Sequence, residues 1–287
     1  MSFLLLAALS SAILTLVLKL FRDPKGNRFG IILGNYLTCM LIAFLQMPQK
    51  GQLFSVSTPT LLMSAAGGFL YVAGLVLTQT SVARNGATLT AAFSKLGLIV
   101  PLLISFVFFK EIPSFLKILG LGLAVGAIWL INTGAGEGAA RAGESRGGLA
   151  VLLLTLLACG SSESMAKIFS RLGDQREDTR YFFFLFLTAA VLTFILSRAE
   201  KKKTGRSLKF GELAAGILVG IPNYFSSFFL LKALLTLPAD VVYPVFSVGS
   251  ILIVMTAGIL FFRERLGRRQ VYGLVLILGA LVLLNLS

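Results

Sequence analysis

Charged side chains inside apolar segments are the residues of this sequence best placed to do chemistry. Lys95 stands near the middle of the segment AAFSKLGLIVP, far from either end. An ionisable group at membrane depth is costly and by default indicates function. Lys95 is therefore predicted to line a central cavity, where it binds an anionic substrate group or exchanges a proton. The alternative is a lysine paired with a carboxylate that only holds helices together.

Glu163 is the carboxylate that lies deepest in an apolar segment, and two lysines are candidate partners for it. Lys95 is one of them. Lys167, one helical turn after Glu163, is the other, in the order that favours a pair along a helix. Lys167 lies near the end of its segment and is expected to extend towards the membrane surface. A carboxylate at this depth can also carry a proton, so Glu163 is the predicted coupling residue of any proton-driven process.

Polar side chains recur at corresponding depths in the two halves of the chain, as expected for a substrate site between two repeats. Tyr71 matches Tyr224 and Ser94 matches Ser247, both at an offset of 153 residues. The predicted substrate-binding residues are Lys95, Ser94, Tyr71, Ser11, Ser162, Asn223, Tyr224, Tyr243 and Ser247, with Ser10, Ser161, Ser226, Ser227 and Ser250 at similar depths. The alternative for each serine is hydrogen bonding between helices, its usual role in membrane spans.

The composition indicates a membrane protein. Hydrophobic residues make up 56% of the 287 and charged residues only 13%, whereas soluble domains carry about 25% charged residues. The net charge of +14 comes from Lys and Arg in short loops, where they contact lipid headgroups and set the topology. No polar domain exists to present a nucleic-acid surface. Histidine is absent and Cys39 and Cys159 lie in apolar segments as packing residues, so no cofactor or metal is predicted.

Ten apolar segments are long enough to position these residues in a bilayer, which needs about 20 residues per helix. They lie at 2–20, 29–47, 59–79, 87–109, 114–133, 148–169, 180–198, 211–232, 239–262 and 267–286. The Gly- and Ala-rich stretch 134–147 reads as a linker between the fifth and sixth segments. The predicted fold is an all-α integral membrane protein with a first repeat at 1–133 and a second at 148–287.

One segment occurs twice, at 108–132 (FFKEIPSFLKILGLGLAVGAIWLIN) and at 261–285 (FFRERLGRRQVYGLVLILGALVLLN), with Glu111 aligned to Glu264. A period near half the chain length indicates two copies of one folding unit. Five is an odd number of spans, so the two copies must cross the membrane in opposite directions. Ten transmembrane helices arranged as two inverted five-helix repeats are typical of secondary transporters.

The repeated stretches at 83–132 and 232–285 resemble the EamA-like ten-helix transporters of the drug/metabolite transporter superfamily. The resemblance implies ten helices in two halves and transport of small organic molecules. Two features depart from it. The first helix of each half lacks a Trp-Gly pair, and the second repeat has Val254 at the position that corresponds to Pro101. The resemblance also implies cytoplasmic termini. The positive-inside rule implies the reverse, because one set of loops carries 17 basic residues and the other 7, which leaves both orientations open.

We therefore predict a secondary active transporter, an exporter, for small organic metabolites or drugs across the cytoplasmic membrane by alternating access. Its predicted partners are a small-molecule substrate, the lipid bilayer and a proton or ion gradient, and it acts as a monomer or homodimer. The alternatives are an intramembrane enzyme acting on lipid-linked substrates and a non-transporting membrane partner subunit. An enzyme is disfavoured because the chain has no histidine and a single deep carboxylate.

Further expectations concern packing. Glu111 and Glu264, at loop junctions beside basic residues, are expected to pair locally and to favour the N-terminus of the next helix. The aromatic run YFFFLF at 181–186 is expected to face lipid or the membrane interface. The spacings Gly122/Gly126 and Gly216/Gly220 predict close helix contacts, and Gly97, Pro101, Pro222 and Pro244 predict bends or loosened turns.

Overall fold

The structure, a computed structural model, describes most of the chain as α-helix. The described residues are 1–20, 27, 29–48, 50–85, 90, 93–94, 96–111, 114–133, 146–262, 272–273, 275–276, 279–280 and 283. Nine α-helices have defined bounds in this part: α1 Ser2–Leu20, α2 Gly30–Gln46, α3 Thr58–Asn85, α4 Ile99–Phe109, α5 Phe115–Thr133, α6 Arg146–Leu172, α7 Asp178–Thr204, α8 Phe210–Leu234 and α9 Ala239–Phe262. Short 3-10 helices at Lys50–Gln52 and Gln175–Glu177 precede α3 and α7.

Among the described residues, five helical stretches are long and apolar enough to cross a membrane: Thr58–Asn85, Gly148–Leu172, Gln175–Thr204, Phe210–Leu234 and Ala239–Ala257. Helices satisfy their own backbone hydrogen bonds, which hydrocarbon cannot do. The prediction of an all-helical, multi-pass membrane protein is confirmed. Most of the tenth predicted segment, 267–286, lies outside the described residues, so the count of ten stays a prediction.

The fourth predicted segment is interrupted rather than continuous. Gly97 donates its backbone N–H to Ser94, and Val100 donates its own to Gly97, so the helix tightens there before α4 begins at Ile99. A methyl group on Gly97 would crowd the backbone of Gly160 in α6. This close approach fits the predicted irregularity at Gly97.

The contacts between helices recur when each helix is replaced by its counterpart five helices away. The counterparts are α1 and α6, α2 and α7, α3 and α8, and α4 and α9. Helix α1 packs against α8 and α9, while α6 packs against α3 and α4. Helix α2 packs against α8, and α7 packs against α3. Helices α2 and α7, which correspond to each other, are also in contact. The two halves therefore use the same helix pairs to hold each other.

Glycines allow the closest of these contacts. Gly216 of α8 lies against Gly34 of α2, and Gly220 lies one turn further along against Thr38. The close contact predicted at Gly216 and Gly220 is confirmed. At the other spacing, 122/126, no described atom lies within 4 Å of where a methyl group would stand.

The aromatic run 181–186 lies in the core rather than at the lipid surface, so that expectation was wrong. Tyr181, Phe182 and Phe186 are 2% exposed or less. They fall on one face of α7 with the i, i+1, i+5 spacing of a buried helical stripe. Tyr181 stacks on Phe169 of α6 with ring centroids 4.1 Å apart, and Phe182 contacts the ring of Tyr224.

Contacts between helix ends define two opposite faces of the bundle. On the first face, Asn27 joins the α1–α2 connection to the α7–α8 region. Its backbone N–H donates to Glu212 Oε1 at 2.9 Å, and its side-chain amide donates to Arg206 O at 3.0 Å. Asn85 at the end of α3 donates to Gly148 O at the start of α6. The second face holds the opposite helix ends, where Ser57 before α3 meets Glu177 before α7.

Candidate functional site

A central cavity of about 180 Å³ lies between α1, α3, α6, α7, α8 and α9. Each of these helices contributes at least one lining side chain. The lining consists of Ser11, Leu14, Tyr71, Ser162, Glu163, Ala166, Tyr181, Phe182, Leu185, Asn223, Ser226, Ser227, Leu230 and Phe246. Hydroxyl, amide and carboxylate groups alternate with aromatic and aliphatic walls, which is the usual make-up of a small-molecule site.

Five of the predicted site residues meet in the central cavity: Ser11, Tyr71, Ser162, Glu163 and Asn223. They come from four helices in both halves of the chain. Their positions near the middle of each helix bring them to one depth, because all of these helices cross the same layer. The structure thus brings together residues up to 212 positions apart that share only polarity and depth.

Hydrogen bonds hold three of these groups in place. Tyr71 Oη lies 3.2 Å from Ser227 Oγ, which links α3 to α8 at the cavity wall. Asn223 donates its amide N–H to Asn35 Oδ1 in α2 at 3.0 Å. Ser162 Oγ donates to the carbonyl of Cys159 in its own helix at 2.7 Å. The cavity therefore presents a polar surface whose side chains already have fixed directions.

Four predicted substrate-binding residues do not line the central cavity. Tyr224 is buried behind it and donates from Oη to Gln46 Oε1 at 2.9 Å, and Ser247 is buried within α9. Tyr243 Oη donates to the backbone carbonyl of Glu163 at 3.0 Å, so it fixes the helix that carries Glu163. Ser94 lies next to the irregular turn before α4. Lys95, the first candidate from the sequence, lies outside the described residues.

Sequence reasoning missed the apolar wall of the cavity, chiefly Tyr181, Phe182 and Leu185 of α7. Their i, i+1, i+4 spacing places them on one face of the helix, and this pattern is visible in the sequence. What it could not reveal was whether that face met lipid or protein, since both are apolar.

A second charged site, the Glu111 cluster, lies beyond the cavity at the second face. Both carboxylate oxygens of Glu111 accept from Lys167 Nζ, at 2.7 and 2.9 Å, and Arg171 and Ser105 also donate to this carboxylate. The backbone N–H of Ala239, the first residue of α9, points to it at 3.5 Å. The cluster therefore joins the end of α4 to α6 and α9.

The cluster overturns two expectations. Glu111 pairs across helices with Lys167 and Arg171 rather than locally, and the helix N-terminus that donates to it is that of α9. Lys167 does not extend to the membrane surface, since its side chain is 0% exposed and is held by Glu111. Partial burial raises the pKa of Glu111, but the hydrogen bonds from Lys167, Ser105 and Arg171 outweigh it and lower the pKa to about 2. The equivalent Glu264 lies outside the described residues.

Two further ties cross the second face. Glu177 accepts from the N–H and the hydroxyl of Ser57, at 3.0 and 2.7 Å, which joins the connection before α3 to the one before α7. Asp178 accepts from Lys232 Nζ at 2.6 Å, which joins the start of α7 to the end of α8. Carboxylates thus bridge neighbouring connections around this face. Within the described ranges, no group of three or more His, Cys, Asp or Glu residues could hold a metal ion.

Comparison with known proteins accounts for this architecture. Residues 147–286 match the sequence model of the EamA-like transporter family, part of the drug/metabolite transporter superfamily. Residues 147–286 belong to this family. The family resemblance predicted from the repeated segment is confirmed, and with it the assignment of a multi-pass membrane protein of a transporter family.

Two further likenesses extend over the whole chain. A protein of Haemophilus influenzae described as uncharacterized is 26% identical over 288 residues, covering 97% of this chain and 95% of that protein. A protein of known crystal structure superposes with a TM-score of 0.77 at 11% identity, covering 99% of this chain and 96% of that one. The second likeness concerns the fold alone.

Proposed function

We propose that this protein is a secondary active transporter that exports small organic metabolites across the cytoplasmic membrane by alternating access. Membership of residues 147–286 in a transporter family supports the general activity. The observation that carries the mechanism is the hydrogen bond between Tyr71 and Ser227 at the wall of the central cavity. It joins the third helix of each half, at the depth where a site between two repeats belongs.

Two inverted five-helix repeats, 1–133 and 148–287 with a linker at 134–147, are part of this proposal. The helix pairs that recur after a shift of five helices support it. The positions of the connections support it as well. The α1–α2 connection lies at the first face, whereas its counterpart between α6 and α7 lies at the second, so equivalent connections face opposite ways.

The second face is the proposed gate of this cycle. Helices α4, α6 and α9 converge on Glu111, and the ties at Glu177 and Asp178 close the remaining connections. Opening the cavity to this face requires these carboxylates to part from their donors. The first face is joined instead by Asn27 and Asn85, through hydrogen bonds that involve fewer charged donors.

The cavity also bears on the substrate. Its volume of about 180 Å³ is below the roughly 300–1,000 Å³ of clefts that hold drug-sized ligands, which favours a small metabolite. Tyr71, Asn223 and Glu163 favour a solute with several hydrogen-bonding groups. Glu163 is the proposed coupling residue for a proton or ion gradient, and Lys95 remains a proposed ligand for an anionic group on the strength of its place in the sequence.

Transport into liposomes by the purified protein tests the proposal. We expect uptake of members of a polar metabolite panel when a proton gradient is applied, and Tyr71→Phe should lower the rate about tenfold because it removes the hydroxyl that meets Ser227. Tyr272→Phe is the matched control, because this tyrosine is 65% exposed. It should transport at the wild-type rate.

The same assay separates the alternatives. A protein that moves no solute under any gradient, or a Tyr71→Phe variant that equals Tyr272→Phe, would contradict a substrate site in the central cavity. Turnover of a lipid-linked substrate without solute movement would indicate an intramembrane enzyme. A protein that neither moves a solute nor turns over a lipid-linked substrate would favour a non-transporting partner subunit.

A further inference from the structure

A second cavity, the α7-end pocket, lies at the first face and is separate from the central cavity. It measures about 200 Å³ and is formed where α7 ends and the chain turns towards α8. Its lining is Phe194, Ser197, Arg198, Lys201, Ser207 and Leu208. Two cations, two hydroxyls and two apolar side chains thus share one small space.

The polar groups of the pocket are suited to an anion. Arg198 and Lys201 lie three residues apart on α7, and so project from the same side of the helix. Lys202, Lys203 and Arg206 follow directly and raise the local positive charge. Among nearby acids, Glu200 is the neighbour of Lys201, while the carboxylate of Glu212 is taken up by the backbone N–H groups of Asn27 and Lys209.

Free backbone carbonyls at the end of a helix carry partial negative charge and would repel an anion, but two of those at the end of α7 are hydrogen-bonded. Gly205, with φ +71°, donates its N–H to Lys201 O at 2.9 Å and ends the helix. Thr204 Oγ1 donates to Glu200 O at 2.9 Å. These two terminal carbonyls are therefore satisfied, and the basic side chains dominate the pocket.

Ser197 gives an independent indication that a ligand belongs here. Its side chain is 1% exposed, it lines the pocket, and its hydroxyl has no hydrogen-bond partner among the described residues. Its own carbonyl is occupied by the amide of Asn27 at 3.3 Å. A buried hydroxyl without a partner is unfavourable, so a group that accepts a hydrogen bond from Ser197 would remove that cost.

Apolar surface continues from the pocket towards the membrane interior. The guanidinium of Arg198 lies 5.0 Å from the ring centre of Phe194, which is itself partly exposed. Ile195 and Val191, about one and two turns before Arg198 on α7, are at least half exposed. A ligand with both a charged head and hydrocarbon chains would contact both parts, whereas a free ion would contact only the first.

We propose that the α7-end pocket binds the headgroup phosphate of an anionic phospholipid. Arg198 and Lys201 pair with the phosphate, Ser197 donates its hydroxyl to a phosphate oxygen, and the acyl chains lie along Phe194 and Ile195. The site does not depend on the transport proposal, because lipid binding is measured without any moving solute.

Native mass spectrometry of the full-length protein in mild detergent tests this site, with phosphatidylglycerol as the probe and phosphatidylcholine as the zwitterionic comparison. We expect phosphatidylglycerol to bind more tightly. Arg198→Gln and Lys201→Gln should each weaken its binding about fivefold, as expected for one basic residue near a lipid surface. Ser197→Ala, which removes only the hydroxyl, should weaken it about twofold to threefold.

Lys203→Gln is the matched control, because it makes the same charge change two residues further along and outside the pocket lining. It should weaken binding less than twofold. Equal losses in Arg198→Gln and Lys203→Gln would overturn the site in favour of diffuse attraction. Displacement of the lipid by millimolar inorganic phosphate would overturn the phospholipid as its occupant. A lipid affinity unchanged in all three pocket variants would overturn the proposal entirely.

Discussion

Two charged residues one turn apart on α6 serve different regions of the molecule. Glu163 lines the central cavity beside neutral hydroxyl and amide groups. Lys167 is buried in the Glu111 cluster, where a carboxylate from between α4 and α5 takes two of its hydrogen bonds. The i, i+4 spacing that favours a local pair does not decide their roles, because the helices packed around each residue differ.

The two regions differ in how readily their hydrogen bonds can be replaced by bonds to a solute. Polar groups in the cavity form neutral hydrogen bonds, whose net contribution to stability is only about 0.5–1.5 kcal/mol each, so a solute can replace them. A buried charge that loses its partner is far more costly, about 3–5 kcal/mol. We therefore expect substitutions in the Glu111 cluster to reduce stability, and substitutions in the cavity to reduce transport.

The largest expected effect is that of Lys167→Met. It leaves the carboxylate of Glu111 with fewer donors and should lower the free energy of unfolding by about 3 kcal/mol. SDS titration of the protein in detergent micelles measures this change. Arg171→Met is the control: this residue also contacts Glu111, but it is 48% exposed and should contribute less than about 1 kcal/mol.

Equal losses from Lys167→Met and Arg171→Met would remove the distinction between a buried and a screened partner. Unchanged stability in Lys167→Met would contradict the cluster as a structural tie between α4 and α6.

Acid should weaken the same cluster. The pKa of Glu111 is lowered from 4.5 to about 2, so its ionised form stabilises the folded protein above pH 4.5 and this contribution disappears as the pH falls towards 2. The measurement is the difference in Tm between wild type and Glu111→Gln from pH 7 to pH 3. We expect a constant difference above about pH 5 that narrows below it; a difference that grows on acidification would contradict the assigned direction.

Sequence patterns predicted the spans and much of the cavity lining for a clear physical reason. The bilayer sets the length of every helix, and a polar residue in mid-segment, such as Ser11, Tyr71 or Asn223, is thereby placed at mid-depth. The neighbour across the helix surface is not encoded in that way. The link from Glu111 to Lys167 joins residues 56 positions apart, and it depends on which helices pack together.

The aromatic wall escaped prediction for a related reason. Lipid and protein interior are both apolar, so the hydrophobicity of Phe182 cannot distinguish between them. Only its packing against Tyr224 of α8 makes it part of the core. Polar and charged side chains are the more informative residues in a chain of this composition, although their partners still require the structure.

The smallest expected change in stability, with a specific change in transport, is that of Glu163→Gln. The substitution keeps the shape of the side chain and its place in the cavity but removes its ability to gain or lose a proton. We expect a change in unfolding free energy below about 1 kcal/mol. Transport driven by a proton gradient should be lost, while exchange of labelled for unlabelled solute at equal pH continues, because exchange needs the site but no net proton movement.

Glu200→Gln makes the same chemical change near the end of α7, outside the central cavity, and should preserve both activities. If Glu163→Gln keeps its response to the gradient, coupling does not pass through this carboxylate. If it loses exchange as well as gradient-driven uptake, Glu163 binds the solute itself, and the cavity combines recognition and coupling in one group. Either result separates the cavity from the Glu111 cluster more sharply than stability alone, because Glu111 does not line the cavity and so affects transport through stability or gating rather than through contact with the solute.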